Sequence, residues 1–343
     1  MSLESLIEEF LLERGAIKVG IATAETLAGG PPSTDLQYCL EGARSAVSFA
    51  LPLNRDHIRG YLAKEDRLAH ERDNIETNIR ATDISWELAG MLEREGYRSK
   101  GTKANLKYRQ EMKGWELFLP PDISHRYMAA RSGVGSFGWS GNVGIKDYGT
   151  AIILDTTITT AELEPTEPIP QEEGFCDKCK LCAAACVSGM FDRKRETTVT
   201  MGGIDFSYSV RRNYLLCDFC CGGFTGLAKS GKWSTWSPGR VPIPDQEELF
   251  KEFIRVFELY NRRPPMPGGF PHPALPGYKQ HLTCGNCQII CWGDKEETKE
   301  NVRLLHGSGC VLQRADGELY ALPPGEAEAA FEAMEPERRA LYC

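Results

Sequence analysis

The sequence predicts a mixed α+β and α/β chain: an α/β sandwich over residues 1–165, a cysteine-rich unit over 166–310 and a hairpin-and-helix extension over 311–343. Helical and strand periodicities alternate through the first part, which fits helices packed on a sheet. Ten of the thirteen cysteines fall between Cys176 and Cys291. The proline-rich "ELEPTEPIPQEEG" marks the join between the two parts.

In chain order, residues 3–14 place leucines, Ile7 and Phe10 on one helical face, and Gly15 stops the helix. "IKVGIAT" reads as a strand. "STDLQYCLEGA" reads as a helix capped by Ser33 or Thr34, with Cys39 on its apolar face. "SAVSFALPL" is a strand, and a long amphipathic helix, with room for a break, covers about Asp66 to Arg94 before Gly96. "WELFLP" and "TAIILDTTITT" are further strands. The span from Phe191 to Gly277 reads as largely irregular, and "NRRPPMPGGFPHPALPG" within it as a pinned loop or cover. "VLQRADGELYAL" reads as a hairpin turning at Asp316-Gly317, followed by a terminal helix that Pro336 interrupts.

Composition narrows the function. A hydrophobic fraction of 41% and a charged fraction of 26% are those of a soluble globular chain. The net charge of −8 argues against nucleic acid as the main partner. No apolar run approaches the roughly 20 residues of a membrane span. The acidic, amphipathic start lacks an export signal, so a cytoplasmic location is expected and the cysteines suggest metal, not disulfides.

Cys176, Cys179, Cys182 and Cys186 read Cys-x2-Cys-x2-Cys-x3-Cys, and Cys284, Cys287 and Cys291 read Cys-x2-Cys-x3-Cys. This is the bacterial ferredoxin run, in which three close thiolates hold one cubane cluster and the fourth reaches a second. Crossed ligation gives Cys176, Cys179, Cys182 and Cys291 to one [4Fe-4S] cluster, and Cys186, Cys284 and Cys287 to the other. Its fourth ligand is open among Cys217, Cys220 and Cys221. Structural zinc has no use for a three-in-seven run. Val187 and Trp292 stand where such runs usually carry proline. Each is expected to free one N–H near a cluster and so raise its potential.

In "DISHRYMAARSGVGSFGWSGNVGIKDYGTAIILDTTITTAELEP", Asp122 to Pro165, the glycines at 133, 135, 138, 141 and 144 let backbone approach a bulky ligand. There is no Gly-x-Gly-x-x-Gly opening a helix and no phosphate loop. This Gly-rich loop, the strand ending in Thr-Thr, Leu-Glu-Pro and the ferredoxin run together resemble the epoxyqueuosine reductase and reductive dehalogenase superfamily. The resemblance covers about residues 3–295. It implies a nitroreductase-like α/β domain holding base-off cobalamin, packed on a ferredoxin-like domain with two [4Fe-4S] clusters. Gly133, Gly135, Gly138, Ser140, Gly141 and Asn142 would be the cofactor-binding loop. Gly138-Trp139-Ser140 departs from the Gly-Lys-Asn of epoxyqueuosine reductases, which argues against the tRNA activity. Cys221, with Phe224 and Gly231 downstream, fits the family's spacing for the remaining ligand, with Cys217 and Cys220 as alternates.

The function expected on this resemblance is a cobalamin-dependent iron–sulfur reductase. It would draw electrons from a low-potential donor such as ferredoxin or flavodoxin and reduce a small electrophilic substrate. Asp122, His125, Arg126 and Tyr127 are the candidate catalytic residues; a guanidinium beside the phenol can lower its pKa or hold an anionic substrate. The plainer reading makes "SHRY" an exposed helix start. "DHIRG", Asp56 to Gly60, does not match the Asp-x-His-x-x-Gly of histidine-ligated corrinoids, in line with a base-off mode. The competing function is an electron carrier or corrinoid-protein activator without its own cobalamin. The Pro-rich stretch Pro264 to Pro276 is expected to close over the cofactor rim.

Overall fold

The structure is a computed structural model that describes residues 2–103, 107–115, 120–245, 248–271 and 279–343. Its N-terminal part contains α1 (Leu3–Glu13), β1 (Lys18–Thr23), α2 (Leu36–Cys39), β2 (Ser45–Pro52), α3 (Arg55–Leu62), α4 (Arg67–Arg94) and β3 (Ser99–Gly101). The helix His125–Arg131 follows, then the short pair β4 (Ser136–Phe137) and β5 (Val143–Gly144), and then β6 (Ile152–Thr159). Strands β1, β2, β6 and β3 form one sheet in that order, every neighbour antiparallel.

Successive side chains of β2 point to opposite faces. Val47, Phe49 and Leu51 pack with Ile7 and Leu11 of α1 and with Ile84, Leu88 and Leu92 of α4. Ala46 and Ala50 face the other way, onto Met128, Ala129 and Ala130 of the helix His125–Arg131. Small residues on that face let the helix carrying the candidate catalytic side chains lie close to the sheet.

α4 is one unbroken helix of 28 residues, capped by Asp66, whose carboxylate accepts from the Ala69 N–H at 3.0 Å. The sequence expectation for α2 is corrected. It is a single turn of four residues, and its cap is Asp35, which accepts from the Gln37 N–H. Ser33 and Thr34 lie in a preceding 3₁₀ turn. Residues 116–119 of the expected strand "WELFLP" lie outside the described residues.

The region after Cys186 is more regular than expected. β7 (Phe191–Met201) and β8 (Ile204–Arg211) form a long antiparallel hairpin that pairs Met201 with Ile204. Gly202 and Gly203 make its two-residue turn with φ of 56° and 79°, the left-handed pair that matches strand twist. The alternation in "ETTVTMGGIDFSYSV" carries this signal. The helices Tyr214–Cys221 and Leu249–Asn261 follow, joined by Leu215, Phe219, Phe224 and Val256. The C-terminal hairpin pairs Cys310–Gln313 with Leu319–Leu322 and precedes the helices Pro324–Glu332 and Pro336–Arg339. Among the described residues no helix is long and apolar enough to cross a membrane.

The Pro-rich stretch is anchored to the start of α4. Arg67 and Glu71, 5% and 2% exposed, form an ion pair of 2.5 Å. Glu71 also accepts from the N–H groups of Gly269 and Leu282, each at 2.7 Å, while Arg67 donates to the Pro267 carbonyl. Glu71→Ala leaves a buried guanidinium without its counter-ion and two N–H groups without an acceptor. It is expected to cost about 3–5 kcal/mol in urea unfolding; a change under about 1 kcal/mol would show that the pair is not a structural anchor.

Candidate redox centre and cavity

The thiols fall into two groups. Single helical turns, Leu181–Ala184 and Asn286–Ile289, carry the two cysteine runs toward each other, and the Asn286 side chain donates to the Ala185 carbonyl. Cys182 adjoins Cys176, Cys179 and Cys291. Cys287 adjoins Cys217, Cys186 and Cys284. Cys221 lies 3.5 Å from Cys217, Sγ to Sγ, and its thiol interacts with that of Cys284. Cys217 and Cys221 stand four apart on one helical face, and both reach the second group. Cys220 is buried against the main core, and its thiol too feels Cys284, Cys217 and Cys186.

Among the described residues no three His, Cys, Asp or Glu side chains converge as a single-ion site. Instead a hollow of about 140 Å³ is lined by Cys176, Cys179, Cys182 and Cys291, and also by Cys287 of the other group. Four thiols around a hollow are a donor set for a polynuclear cluster. Burial pushes the Cys179 thiol up to about 11 and the Cys182 thiol to about 12, so thiolates here require a compensating cation.

Donors reach both groups. The Trp139 N–H points at Cys176 Sγ at 3.3 Å, the Met190 N–H at Cys186 Sγ at 3.4 Å, and Asn142 Nδ2 lies 3.7 Å from Cys287 Sγ. The N–H expected to be freed at Trp292 is instead taken by Thr298 Oγ1 at 3.4 Å.

The Gly-rich loop faces protein. A Cβ on Gly138 would sit 2.7 Å from the Phe175 ring, and one on Gly141, with φ of 71°, 2.7 Å from the Tyr208 ring. Gly133 lies against the Glu167 carbonyl and Gly135 against that of Gly144. The close approach at these glycines is to the chain's own hairpin and linker. Ser140 contributes a carbonyl to Arg211, and Asn142 bridges Arg211 and Cys287.

The ligand-sized space lies on the other side of Tyr208 and Arg211. A cavity of about 1350 Å³ is lined by segments 31–33, 120–127, 187–188, 208–214 and 241–245, among others. It exceeds the roughly 300–1,000 Å³ of sites for drug-sized ligands. Of the expected catalytic residues, Arg126 and Tyr127 line it, and His125 and Asp122 do not. His125 Nδ1 bonds Thr156 Oγ1 at 2.9 Å beneath the helix, and burial lowers its pKa to about 4. Asp122 sits beside the Cys39 thiol. The described part of the 264–276 stretch lines no part of the cavity. Val241, Pro242, Ile243 and Pro244 form its apolar wall instead.

The phenol beside a guanidinium is Tyr214, which sequence reasoning missed. Arg211 Nη1 donates to Tyr214 Oη at 2.8 Å, and Arg126 Nη2 lies 3.3 Å away. Burial raises the Tyr214 pKa, but the two guanidiniums outweigh it and hold the phenol below its ordinary value. Tyr127 behaves oppositely: burial, then its 2.9 Å bond to Tyr208 Oη, push its phenol well up.

No family model and no curated protein matches the chain. Solved structures do show a likeness in fold, among them epoxyqueuosine reductases and reductive dehalogenases. An epoxyqueuosine reductase from Streptococcus thermophilus is 19% identical, with a TM-score of 0.39 over 59% of this chain and 56% of that one. An epoxyqueuosine reductase with a tRNA stem loop is 17% identical, with a TM-score of 0.41 over 88% and 80%. A catabolic reductive dehalogenase is 14% identical, with a TM-score of 0.47 over 95% and 48%. The chain spans about half the length of several of these structures, 54% for one epoxyqueuosine reductase.

Proposed function

We propose that the chain is an iron–sulfur reductase that delivers electrons through two [4Fe-4S] clusters to a corrinoid in the large cavity, where a small electrophile is reduced. The observation that carries this reading is continuity. Val187 and Ser188, which follow Cys186, and Leu216, which precedes Cys217, line the cavity wall. An electron at the second thiol group is therefore one residue along the chain from the cavity. By donor set and size the residues fit both kinds of cofactor.

Cys176, Cys179, Cys182 and Cys291 would hold the first cluster. Cys186, Cys284, Cys287 and Cys217 would hold the second, with the Cys221 thiol interacting with Cys284. Cys217 is preferred to the spacing-based Cys221 because its charge acts on both the Cys186 and the Cys287 thiols. A corrinoid supplies a low-potential centre able to attack an electrophile. The chain's own residues would do the rest. Tyr214 Oη holds a proton at the cavity wall, Arg126 and Arg211 make it easier to release, and the Val241–Pro244 wall keeps water out.

The test is anaerobic reconstitution followed by titration with cobalamin, read by absorbance and calorimetry. Saturable binding at tens of micromolar or tighter is expected, with iron halved in Cys217→Ser and retained in Cys221→Ser. Absence of binding would discard the corrinoid and leave an electron carrier; iron loss in Cys221→Ser alone would return the ligand to Cys221.

A further inference from the structure

We propose that Arg126 and Arg211 form a binding site for an oxyanion, a carboxylate or a phosphate, in the wall of the large cavity. The inference rests on the reading of that cavity as a ligand site and adds the charge its ligand must carry.

Two guanidiniums meet here at one phenol. Arg126 donates to the Gly141 carbonyl at 2.6 Å and to Tyr214 Oη. Arg211 donates to the Ser140 carbonyl at 2.8 Å, to Asn142 Oδ1 at 3.1 Å and to Tyr214 Oη. Every acceptor is formally neutral. Among the described residues no Asp or Glu comes within ion-pair distance of either arginine. Elsewhere the chain does supply such partners: Arg67 has Glu71, and Arg195, also on the cavity, has Asp192.

Two adjacent, partly buried like charges without a counter-ion are costly. Burial, then the charge of Arg211, lowers the Arg126 pKa. Each guanidinium offers five N–H donors in a planar fork, and the bonds above leave several unused on two residues that line the cavity. That fork matches a carboxylate or phosphate bidentately.

The rest of the lining has the same sign. Arg212 and Lys229 are exposed at the cavity, Arg240 keeps a buried Nη1 without a hydrogen-bond partner, and among the described residues Asp245 is the one carboxylate in the lining. In a chain of net charge −8, this concentration of cations draws anions into the cavity.

The oxyanion has two possible sources, the phosphodiester of the corrinoid's nucleotide tail or an acidic group on the substrate. Calorimetry on cluster-reconstituted protein separates them with two probe pairs. Cobalamin is compared with cobinamide, which lacks the phosphodiester, and benzoate with benzamide in corrinoid-loaded protein. Wild type is expected to prefer the anionic member of at least one pair by about tenfold to a hundredfold, and Arg211→Gln to erase that preference. Loss in the first pair assigns the cofactor's phosphate; loss in the second assigns a substrate carboxylate. Arg126→Gln is read the same way should Arg211→Gln fail to retain its iron. No preference in wild type, or preferences unchanged in both variants, overturns the site. If no corrinoid binds, benzoate is compared with benzamide without it: an Arg211-dependent preference then keeps the anion site while the corrinoid reading falls.

Discussion

Cys291→Ala is expected to halve the iron of the reconstituted chain, from about eight atoms to about four, although Cys291 is far from the first cysteine run in sequence. The expectation follows from how Cys291 is held. Its carbonyl accepts from the Thr150 N–H at 2.9 Å, and its thiol adjoins Cys176 across the hollow that Cys179 and Cys182 also line. Removing it leaves three thiols for a four-cornered cluster, while Cys186, Cys217, Cys284 and Cys287 are untouched. The remaining cluster should keep its paramagnetic resonance signal on reduction. Cys186→Ala should give the complementary loss, and Cys310→Ala, buried in the C-terminal hairpin, should lose no iron. Full iron in Cys291→Ala would defeat crossed ligation. Loss of all iron there, with secondary structure intact by circular dichroism, would mean that the two clusters form only together.

The grouping of the cysteine runs, α1, α4 and the strands β1, β2 and β6 were legible because each is a local pattern: cysteine spacing, one apolar helical face, or an apolar run between turn signals. The cavity was not legible for the opposite reason. Its walls come from segments near Pro31, Ser124, Tyr208 and Val241, which nothing local in the sequence joins. The glycines between 133 and 144 show the limit of local reading. Glycine signals that something approaches closely, but not whether that is a ligand or the chain's own Tyr208 and Phe175 rings. Tyr214 could have been suspected from "SYSVRRNYL", where two arginines lie beside a tyrosine. Its pairing with Arg126 depends on the β7–β8 hairpin, whose alternation was passed over. The Pro-rich segment was read as a cofactor rim from composition alone, whereas Arg67 and Glu71, which fix it, lie on a helix about two hundred residues earlier.

Tyr214→Phe removes one oxygen and keeps the ring, and should lower substrate reduction about 10²- to 10⁴-fold, the range for loss of a positioned proton donor. Iron content and corrinoid affinity should stay at wild-type levels, because Tyr214 is not a thiol ligand and its ring remains in the wall. Two guanidiniums at its oxygen stabilise the phenolate over the phenol, which makes Tyr214 the stronger acid, whereas Tyr127, raised by burial, should hold its proton. The ionisation can be read without any substrate. Alkaline difference absorbance of wild type should show one phenol ionising below pH about 10, absent in Tyr214→Phe and retained in Tyr127→Phe. Arg211→Gln should move that ionisation upward, since it removes the 2.8 Å donor to the oxygen. Retention of the low-pH phenol in Tyr214→Phe would assign it elsewhere. Unchanged turnover in Tyr214→Phe, with Tyr127→Phe impaired, would transfer the proton to the Tyr127–Tyr208 pair on the same wall.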